Sequence, residues 1–176
     1  MNMTNLNETP EQILYPEIAS ELNEMEKVDQ EMRNKIGKDG TYNPEIDRKN
    51  TLRLKEIISQ IGWPNRTKVG NQGMRSAWLL AQHADEDRLF QCECLELMKQ
   101  ESVDEIRQCD IAYLEDRVRV GEGGPQLYGT QFFTDERGFY GPRPIEDLEH
   151  VDERRAAVGL ESIAEYEARM REIYKK

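Results

Sequence analysis

Cysteine and histidine are scarce in this sequence, which has three cysteines and two histidines among 176 residues. An odd number of cysteines does not complete a disulfide framework, and Cys92, Cys94 and Cys109 lie in segments predicted as helices. A Cys-x-Cys pair without a nearby histidine is also a poor zinc pattern. We therefore predict neither disulfides nor a metal site, and we expect all three cysteines to be reduced packing residues.

Long apolar runs and an excess of positive charge are missing as well. No apolar run approaches the ~20 residues of a membrane-spanning helix, and the N-terminal residues lack the basic and apolar regions of a signal peptide. The chain carries a net charge of −11, which disfavours binding to the phosphates of nucleic acids and to anionic membranes. We therefore expect a cytoplasmic protein whose partners include neither nucleic acid nor membrane.

Common catalytic signatures are also absent. The stretch Gly121-Glu122-Gly123-Gly124 lacks the lysine and the following helix of a phosphate-binding loop. The sequence has no dinucleotide fingerprint, no Gly-x-Ser-x-Gly nucleophile elbow and no His-Glu-x-x-His zinc motif. No cofactor is predicted, and no known motif indicates a reaction.

The sequence does contain a succession of amphipathic helices. Apolar positions spaced by three and four, together with capping residues, predict helices. These helices are expected at 16–38, at 44–61, from about 72, from an Asp85 cap, from a capping box at Ser102, at 149–158 and at 161–175. We expect a flexible N-terminus over residues 1–9 and a single, mainly α domain over residues 10–176. Its fold is an irregular helical domain of about six or seven helices with one small β-hairpin near residues 126–141.

Polar residues interrupt or flank two of the apolar stripes. Asp29 and Arg33 are four residues apart beside the stripe of the first helix, where they form either an intrahelical ion pair or the rim of a pocket. Asp47 and Asn50 continue the stripe of the second helix. Polar groups in such positions are either buried with partners or line a cavity.

One of the two histidines ends the most apolar helix of the chain. His83 lies in Gln82-His83-Ala84-Asp85, after the apolar residues 77–81. It is either a capping or hydrogen-bonded core residue, or a general acid or base that exchanges a proton near neutral pH. In the catalytic interpretation, Asp85 or Asp116 orients the imidazole ring.

Several amides and one tyrosine are candidate ligand-binding residues. A carboxamide offers donors and acceptors without charge, and several together suit a polar, uncharged ligand. The alternative is that each amide satisfies buried backbone or helix-end groups, and that the tyrosine packs in an ordinary hairpin edge. The candidates are Gln82, Gln91, Gln126, Tyr128 and Gln131. We expect the hairpin to fold over the end of the His83 helix, bringing Tyr128 near His83.

These motifs together resemble an uncharacterised bacterial family, domain-of-unknown-function family 6624. The resemblance covers nearly the whole chain, and the combination of motifs is specific. It rests on Asp29-Gln30 with Arg33, Gly62-Trp63-Pro64, Val69-Gly70, Gln82 to Asp85, Phe90-Gln91, Tyr113 to Arg117, Gln126 to Gln131, and Val151 to Arg155 with Gly159-Leu160. The family implies no known activity. The resemblance makes it more plausible that the polar residues at 82–85 and 126–131 belong to one site.

Two functional hypotheses follow. The first is a protein that handles a small polar molecule or a peptide in a pocket around His83 and Tyr128, with acid/base catalysis by His83. The second is a non-catalytic protein, such as an immunity, antitoxin-like or regulatory factor, which presents its acidic surface to a basic protein partner. The sequence does not decide whether the protein is an enzyme. An open polar pocket at His83 favours the first hypothesis.

Overall fold

The computed structural model describes residues 13–174, which form seven α-helices, one β-hairpin and one turn of 3₁₀-helix. The prediction of a mainly α fold is confirmed, whereas the predicted flexible segment 1–9 lies outside the described residues. The elements are α1 (Pro16–Asp39), α2 (Pro44–Ile61), α3 (Arg66–Gln82), α4 (Arg88–Gln100), α5 (Gln108–Gly121), β1 (Phe132–Thr134), β2 (Tyr140–Pro142), the 3₁₀ turn (Leu148–His150), α6 (Val151–Ala157) and α7 (Ile163–Ile173). Within residues 13–174, no helix is both long and apolar enough to cross a membrane.

The first three helices form the core. Asn43 and Asn65 cap α2 and α3 by accepting backbone N–H groups of the first turn, which satisfies donors that the helix itself leaves unpaired. The start of α1 lies beside the start of α3, since the backbone N–H of Tyr15 donates to the carbonyl of Lys68. The helices α1 and α3 therefore run parallel and pack directly against each other, while α2 runs antiparallel to them and contacts both.

The buried face of α1 differs from the predicted one. Spacing by three and four predicts an apolar stripe of Ile18, Leu22, Met25, Val28, Met32 and Ile36. Leu22 and Met32 are buried, but Val28 and Ile36 are 46% and 38% exposed. The helix also buries Ala19, Glu26 and Asp29, which the stripe did not include. The two acidic side chains can lie inside because α3 supplies their donors, including Ser76 at 2.6 Å from Glu26.

The start of α3 also corrects the prediction. Residues 65–71 were expected to form a loop, but the helix begins at Arg66 and continues past Gly70, where φ is 72° and ψ is 173°. These angles are accessible almost only to glycine. Gly70 therefore kinks α3 and divides it into a short first turn and a longer second part, which ends at Gln82, directly before His83.

Two predicted helix starts, at Asp85 and at the capping box of Ser102 and Glu105, are wrong. In each case a carboxylate of the predicted cap binds a residue of another element instead. Asp87, and not Asp85, caps α4 by accepting the N–H of Phe90 at 3.2 Å. The expected helix start at Ser102 is a turn, since the Glu105 carboxylate accepts the N–H and hydroxyl of Thr67 at 2.8 and 2.5 Å. The helix α5 begins six residues later, at Gln108.

The hairpin is shorter than predicted. Its strands pair antiparallel, with Phe132 opposite Pro142 and Thr134 opposite Tyr140. Pro142 was expected to stop the hairpin, and β2 ends at this residue. Residues 126–131, which were expected to belong to the hairpin, lie outside the two strands and form an irregular segment against α5.

Candidate functional site

The polar ends of three core helices meet at one end of the bundle. Because α1 and α3 run parallel and α2 antiparallel, the second half of α1, the start of α2 and the end of α3 are neighbours. Asp29 and Arg33 come from α1, Asp47 from α2, and His83 is the residue that ends α3. These four residues form one hydrogen-bonded network, which we call the His83 cluster.

The centre of the His83 cluster is a buried carboxylate beside the imidazole. Asp29 is 0% exposed, and both of its oxygens lie 2.9 Å from His83 Nδ1. Gln30 Nε2 donates to the same carboxylate at 2.8 Å, and Arg33 Nε lies 3.3 Å from each oxygen. Burial opposes ionisation of Asp29, but the hydrogen bond and charge of His83, followed by the charge of Arg33, lower its pKa below the ordinary value. Asp29 is therefore an ionised acceptor.

The proton on His83 follows from this arrangement. Arg33 Nε lies 2.9 Å from His83 Nδ1, but a ring nitrogen that carries a hydrogen cannot also accept one. An ionised carboxylate only accepts hydrogen bonds, and an unprotonated Nδ1 at 2.9 Å from both oxygens of Asp29 would be repelled. We therefore assign the hydrogen to Nδ1, donated to Asp29, with Arg33 donating to the carboxylate beside it. This leaves Nε2 as the ring nitrogen that does not contact Asp29.

A second carboxylate extends the His83 cluster towards the surface. Arg33 Nη2 lies 2.9 Å from Asp47 Oδ1, so Arg33 joins Asp29 to Asp47. The other oxygen of Asp47 accepts the hydroxyl of Tyr42 at 2.7 Å. That hydrogen bond raises the pKa of Tyr42 to about 12, and the phenol stays protonated.

A cavity of about 260 Å³ opens beside His83. Its lining residues come from α2 and from the connection between α3 and α4. They are Asp47, Arg48, Thr51, Leu52, His83, Ala84, Glu86 and Asp87. His83 lines the cavity while its Nδ1 faces Asp29, which does not, and we infer from this that the Nε2 edge of the ring faces the cavity. Nε2 has no hydrogen-bond partner in the part of the chain that the structure describes.

The carboxylate at His83 is Asp29, which corrects the expectation that Asp85 or Asp116 orients the ring. Asp85 accepts Arg117 Nε at 2.8 Å and Nη2 at 2.5 Å, and its pKa is lowered because this pairing outweighs burial. Asp116 is fully buried and accepts the N–H groups of Leu127, Tyr128 and Thr130. Its role is to hold the segment before β1 against α5.

The glutamines divide into two groups. Gln91 donates to the carbonyls of Ala81 and Gln82 at 3.2 and 3.1 Å, which closes the end of α3. Gln126 donates to the carbonyls of Gln131 and Arg143 and accepts the N–H of Gln131 at 2.8 Å, which fixes the base of the hairpin. These contacts match the structural alternative. Gln82 differs, because its buried Nε2 has no partner within residues 13–174.

Tyr128 lies in the segment held by Asp116. Its N–H donates to Asp116 on α5, and its carbonyl accepts Arg155 Nη1 from α6. His83 has hydrogen bonds to α1 instead. The approach of Tyr128 to His83 stays a prediction.

Sequence reasoning placed Asp29, Arg33 and His83 among the candidates and marked Asp47 as a polar continuation of an apolar stripe. It did not place Tyr42, Arg48 or Glu86 in the site. Tyr42 lies in a connection, and its role depends on the hydrogen bond to Asp47. No local pattern marks such a contact.

The fold and the site define a helical domain in which a buried aspartate pairs with a partly buried histidine beside an open cavity. Residues 16–176 match the model of a family of unknown function, DUF6624. The chain belongs to this family. Neither a curated protein nor a solved structure matches it.

Proposed function

We propose that the protein binds a small polar molecule in the cavity beside His83 and uses His83 as a general acid or base on it. The observation that carries the proposal is the asymmetry of the imidazole. Nδ1 lies 2.9 Å from the buried Asp29, whereas Nε2 has no hydrogen-bond partner among residues 13–174, and His83 lines the cavity. A carboxylate behind the ring sets the tautomer and stabilises the imidazolium that forms when Nε2 takes a proton.

The lining of the cavity favours proton transfer without a covalent intermediate. It includes one side-chain hydroxyl, Thr51, which already donates to the carbonyl of Asp47 at 2.8 Å. No serine or cysteine belongs to the described lining. His83 would therefore act on a proton of the ligand itself or of a water molecule that attacks it.

The charges around the cavity favour a ligand with both donors and acceptors. Glu86 pairs with Arg48 at 2.7 Å, and Asp87 pairs with Lys55 at 2.5 Å, so these carboxylates are largely compensated. Asp47 pairs with Arg33 at 2.9 Å. A neutral or weakly cationic molecule, such as a sugar, an amino sugar or a peptide amide, fits this lining better than an anion.

The alternative function is a non-catalytic protein that presents its acidic surface to a basic protein partner. It is supported by the net charge of −11. For either function we propose a bacterial cytoplasmic protein. The support is the resemblance to a bacterial family and the three free cysteines, which a reducing compartment maintains.

The test is a ligand screen observed at the histidines. The chain has two histidines, so the imidazole C–H signals of His83 and His150 can be assigned by comparing wild type with His150→Gln. We expect compounds from a library of sugars, amino sugars, amino acids, nucleosides and dipeptides to shift the His83 signal and leave His150 unchanged. If no compound shifts His83, the enzyme proposal is overturned in favour of the interaction protein.

Two substitutions of His83 then separate structure from chemistry. The amide nitrogen of His83→Asn can occupy the place of Nδ1 and donate to Asp29, but the variant lacks Nε2. We expect it to keep a wild-type melting temperature while turnover of any converted ligand falls by roughly 10²–10⁴-fold. His83→Ala loses the donor as well and should lose about 1–3 kcal/mol of stability. Full turnover by His83→Asn would contradict the catalytic role.

A further inference from the structure

A second cavity, of about 410 Å³, shares no lining residue with the first. It lies where the connection between α3 and α4 meets the end of α5 and the hairpin. Its lining residues are Asp85, Arg88, Arg117, Val120, Gly121, Gln131, Phe132 and Arg143. We call it the arginine cavity, because three of these eight residues are arginines.

The charges in the arginine cavity do not balance. Asp85 is its single carboxylate, and Arg117 Nε and Nη2 pair with it at 2.8 and 2.5 Å. Arg88 and Arg143 have no carboxylate within salt-bridge distance in the described part of the chain. Two unpaired guanidinium groups therefore face one cavity of a protein whose net charge is −11.

The fold holds these two arginines in place. Arg88 lies across Gly121, where an added Cβ would meet its Nη1 at 1.8 Å, so the absence of a side chain at Gly121 provides the space. The backbone of Arg143 is fixed on both sides, since its N–H donates to Gln131 at 2.9 Å and its carbonyl accepts Gln126 at 2.8 Å. Its guanidinium also lies 5.1 Å above the ring of Phe133.

Arg117 is oriented as well. Its Nη1 donates to the side-chain oxygen of Gln131 at 3.2 Å while Asp85 holds the other face of the guanidinium. The motif Gln126-Leu127-Tyr128-Gly129-Thr130-Gln131 therefore supplies two residues, Gln126 and Gln131, that position Arg117 and Arg143.

We propose that the arginine cavity binds a small dianion, either a phosphate monoester or a dicarboxylate, through Arg88 and Arg143, with Arg117 as a third donor. Guanidinium groups match the geometry of both anions with paired hydrogen bonds. Two unpaired positive charges balance a dianion. Val120 and Phe132 give the cavity an apolar wall, which suits a ligand whose charged group is attached to a nonpolar body.

The test is calorimetric titration of the full chain with inorganic phosphate, phenyl phosphate and succinate at constant ionic strength. We expect at least one of them to bind, and phenyl phosphate to bind more tightly than inorganic phosphate if the apolar wall contributes. Arg88→Gln and Arg143→Gln should each weaken binding by roughly 10-fold to 100-fold. Binding of the phosphates alone identifies a phosphate site, and binding of succinate alone identifies a carboxylate site.

Arg137→Gln is the matched control. It also removes one positive charge, but Arg137 lies in the turn of the hairpin and does not line the cavity. It should leave the affinity unchanged. Gly121→Ala keeps all charges but takes the space of the Arg88 guanidinium, so it should weaken binding without loss of stability, since Gly121 lies at the end of a helix. His83→Asn should bind the anion as wild type does.

Two results would overturn the proposal. One is that none of the three anions binds at millimolar concentration. The other is that Arg137→Gln weakens binding as much as Arg88→Gln and Arg143→Gln do, which indicates attraction by the overall charge rather than a site. Melting temperatures of the variants without ligand show whether a loss of binding reflects a loss of folding.

Discussion

Two buried aspartates of this protein have opposite electrostatic environments. Asp29 is 0% exposed, and the donors around it lower its pKa. Asp110 is 1% exposed, and burial, only partly offset by Arg107 at 3.7 Å, raises its pKa to about 6. Its Oδ2 atom has no hydrogen-bond partner in residues 13–174. Burial alone therefore does not decide the state of a carboxyl group, and the donors that face it do.

Asp110 should make the stability of the protein fall as pH rises. The folded state holds its proton up to a pKa of about 6, against 3.8 ordinarily, so ionisation disfavours the folded state between these two values. The penalty is complete above about pH 6 and amounts to about 3 kcal/mol, since each pKa unit corresponds to about 1.4 kcal/mol. Asp110→Asn should remove it.

Urea denaturation of wild type and Asp110→Asn from pH 4 to pH 8 measures this effect. The variant should be more stable above pH 6 and should approach wild type near pH 4. Asp104→Asn, an exposed carboxylate nearby in the sequence, is the control. A difference between wild type and Asp110→Asn that does not change with pH would contradict the prediction.

At this scale the sequence identified candidates but not their partners. Asp29, Arg33 and His83 were all selected, and the ion pair between Asp29 and Arg33 was one of the two interpretations of their spacing. The contact between Asp29 and His83 joins residues 54 apart in the chain. Local spacing carries no information about such a contact, and the adjacent Asp85 was the nearest available choice.

Among the elements, the segment before β1 depends on one side chain. Asp116 accepts the N–H groups of Leu127, Tyr128 and Thr130 and also the hydroxyl of Thr130, all between 2.7 and 3.0 Å. An ionised carboxylate can accept these hydrogen bonds on its two oxygens. The backbone N–H groups of this irregular segment thereby find hydrogen-bond acceptors, which a strand would find on a neighbouring strand.

Asp116→Asn should destabilise the protein by about 3 kcal/mol, because its amide N–H₂ group would face backbone donors and charge-assisted hydrogen bonds would be lost. Amide hydrogen exchange at Leu127, Tyr128 and Thr130 should accelerate more than exchange in α2. Glu115→Gln, one residue earlier on α5 and paired with Lys99 at 3.2 Å, is the control. Equal effects of the two substitutions would be inconsistent with the role of Asp116.

The helices show where capping signals succeed and where they fail. The bounds of α2 were predicted correctly, because Asn43 and Gly62 have no competing partner for their capping roles. Asp85 and Glu105 also looked like helix-start residues, but Arg117 and Thr67 take their carboxylates. A capping motif reports a local preference, and a charged partner from a distant element can override it.

Over the whole molecule, a row of aromatic rings joins the helical core to the hairpin and α7. Successive ring centroids lie 5.2 to 6.3 Å apart. In order along the row, the rings are Trp78, Tyr113, Tyr166, Phe132, Tyr140 and Tyr174. Tyr166 contacts rings on both sides and is 4% exposed. The C-terminal elements therefore pack on the core through continuous apolar contact.

We expect one cooperative unfolding transition for the whole described chain. Tryptophan fluorescence reports Trp63 and Trp78 in the core, and hydrogen exchange of β1 reports the hairpin; both should give the same midpoint in urea. Tyr166→Ala should lower the free energy of unfolding by about 3–5 kcal/mol. Tyr174 is 55% exposed at the end of the row, so Tyr174→Ala should lower it by much less. Loss of the hairpin before the fluorescence change would show two units instead.

The connection between α3 and α4 belongs to both cavities. His83, Ala84, Glu86 and Asp87 line one, while Asp85, in the middle of the same five residues, lines the other. A ligand that binds in one cavity and displaces the connection between α3 and α4 changes the free energy of ligand binding in the other cavity. Thermodynamic reciprocity then requires the two molecules to change each other's dissociation constant by the same factor. We therefore expect an anion bound in the arginine cavity to change the affinity for the molecule proposed to bind beside His83.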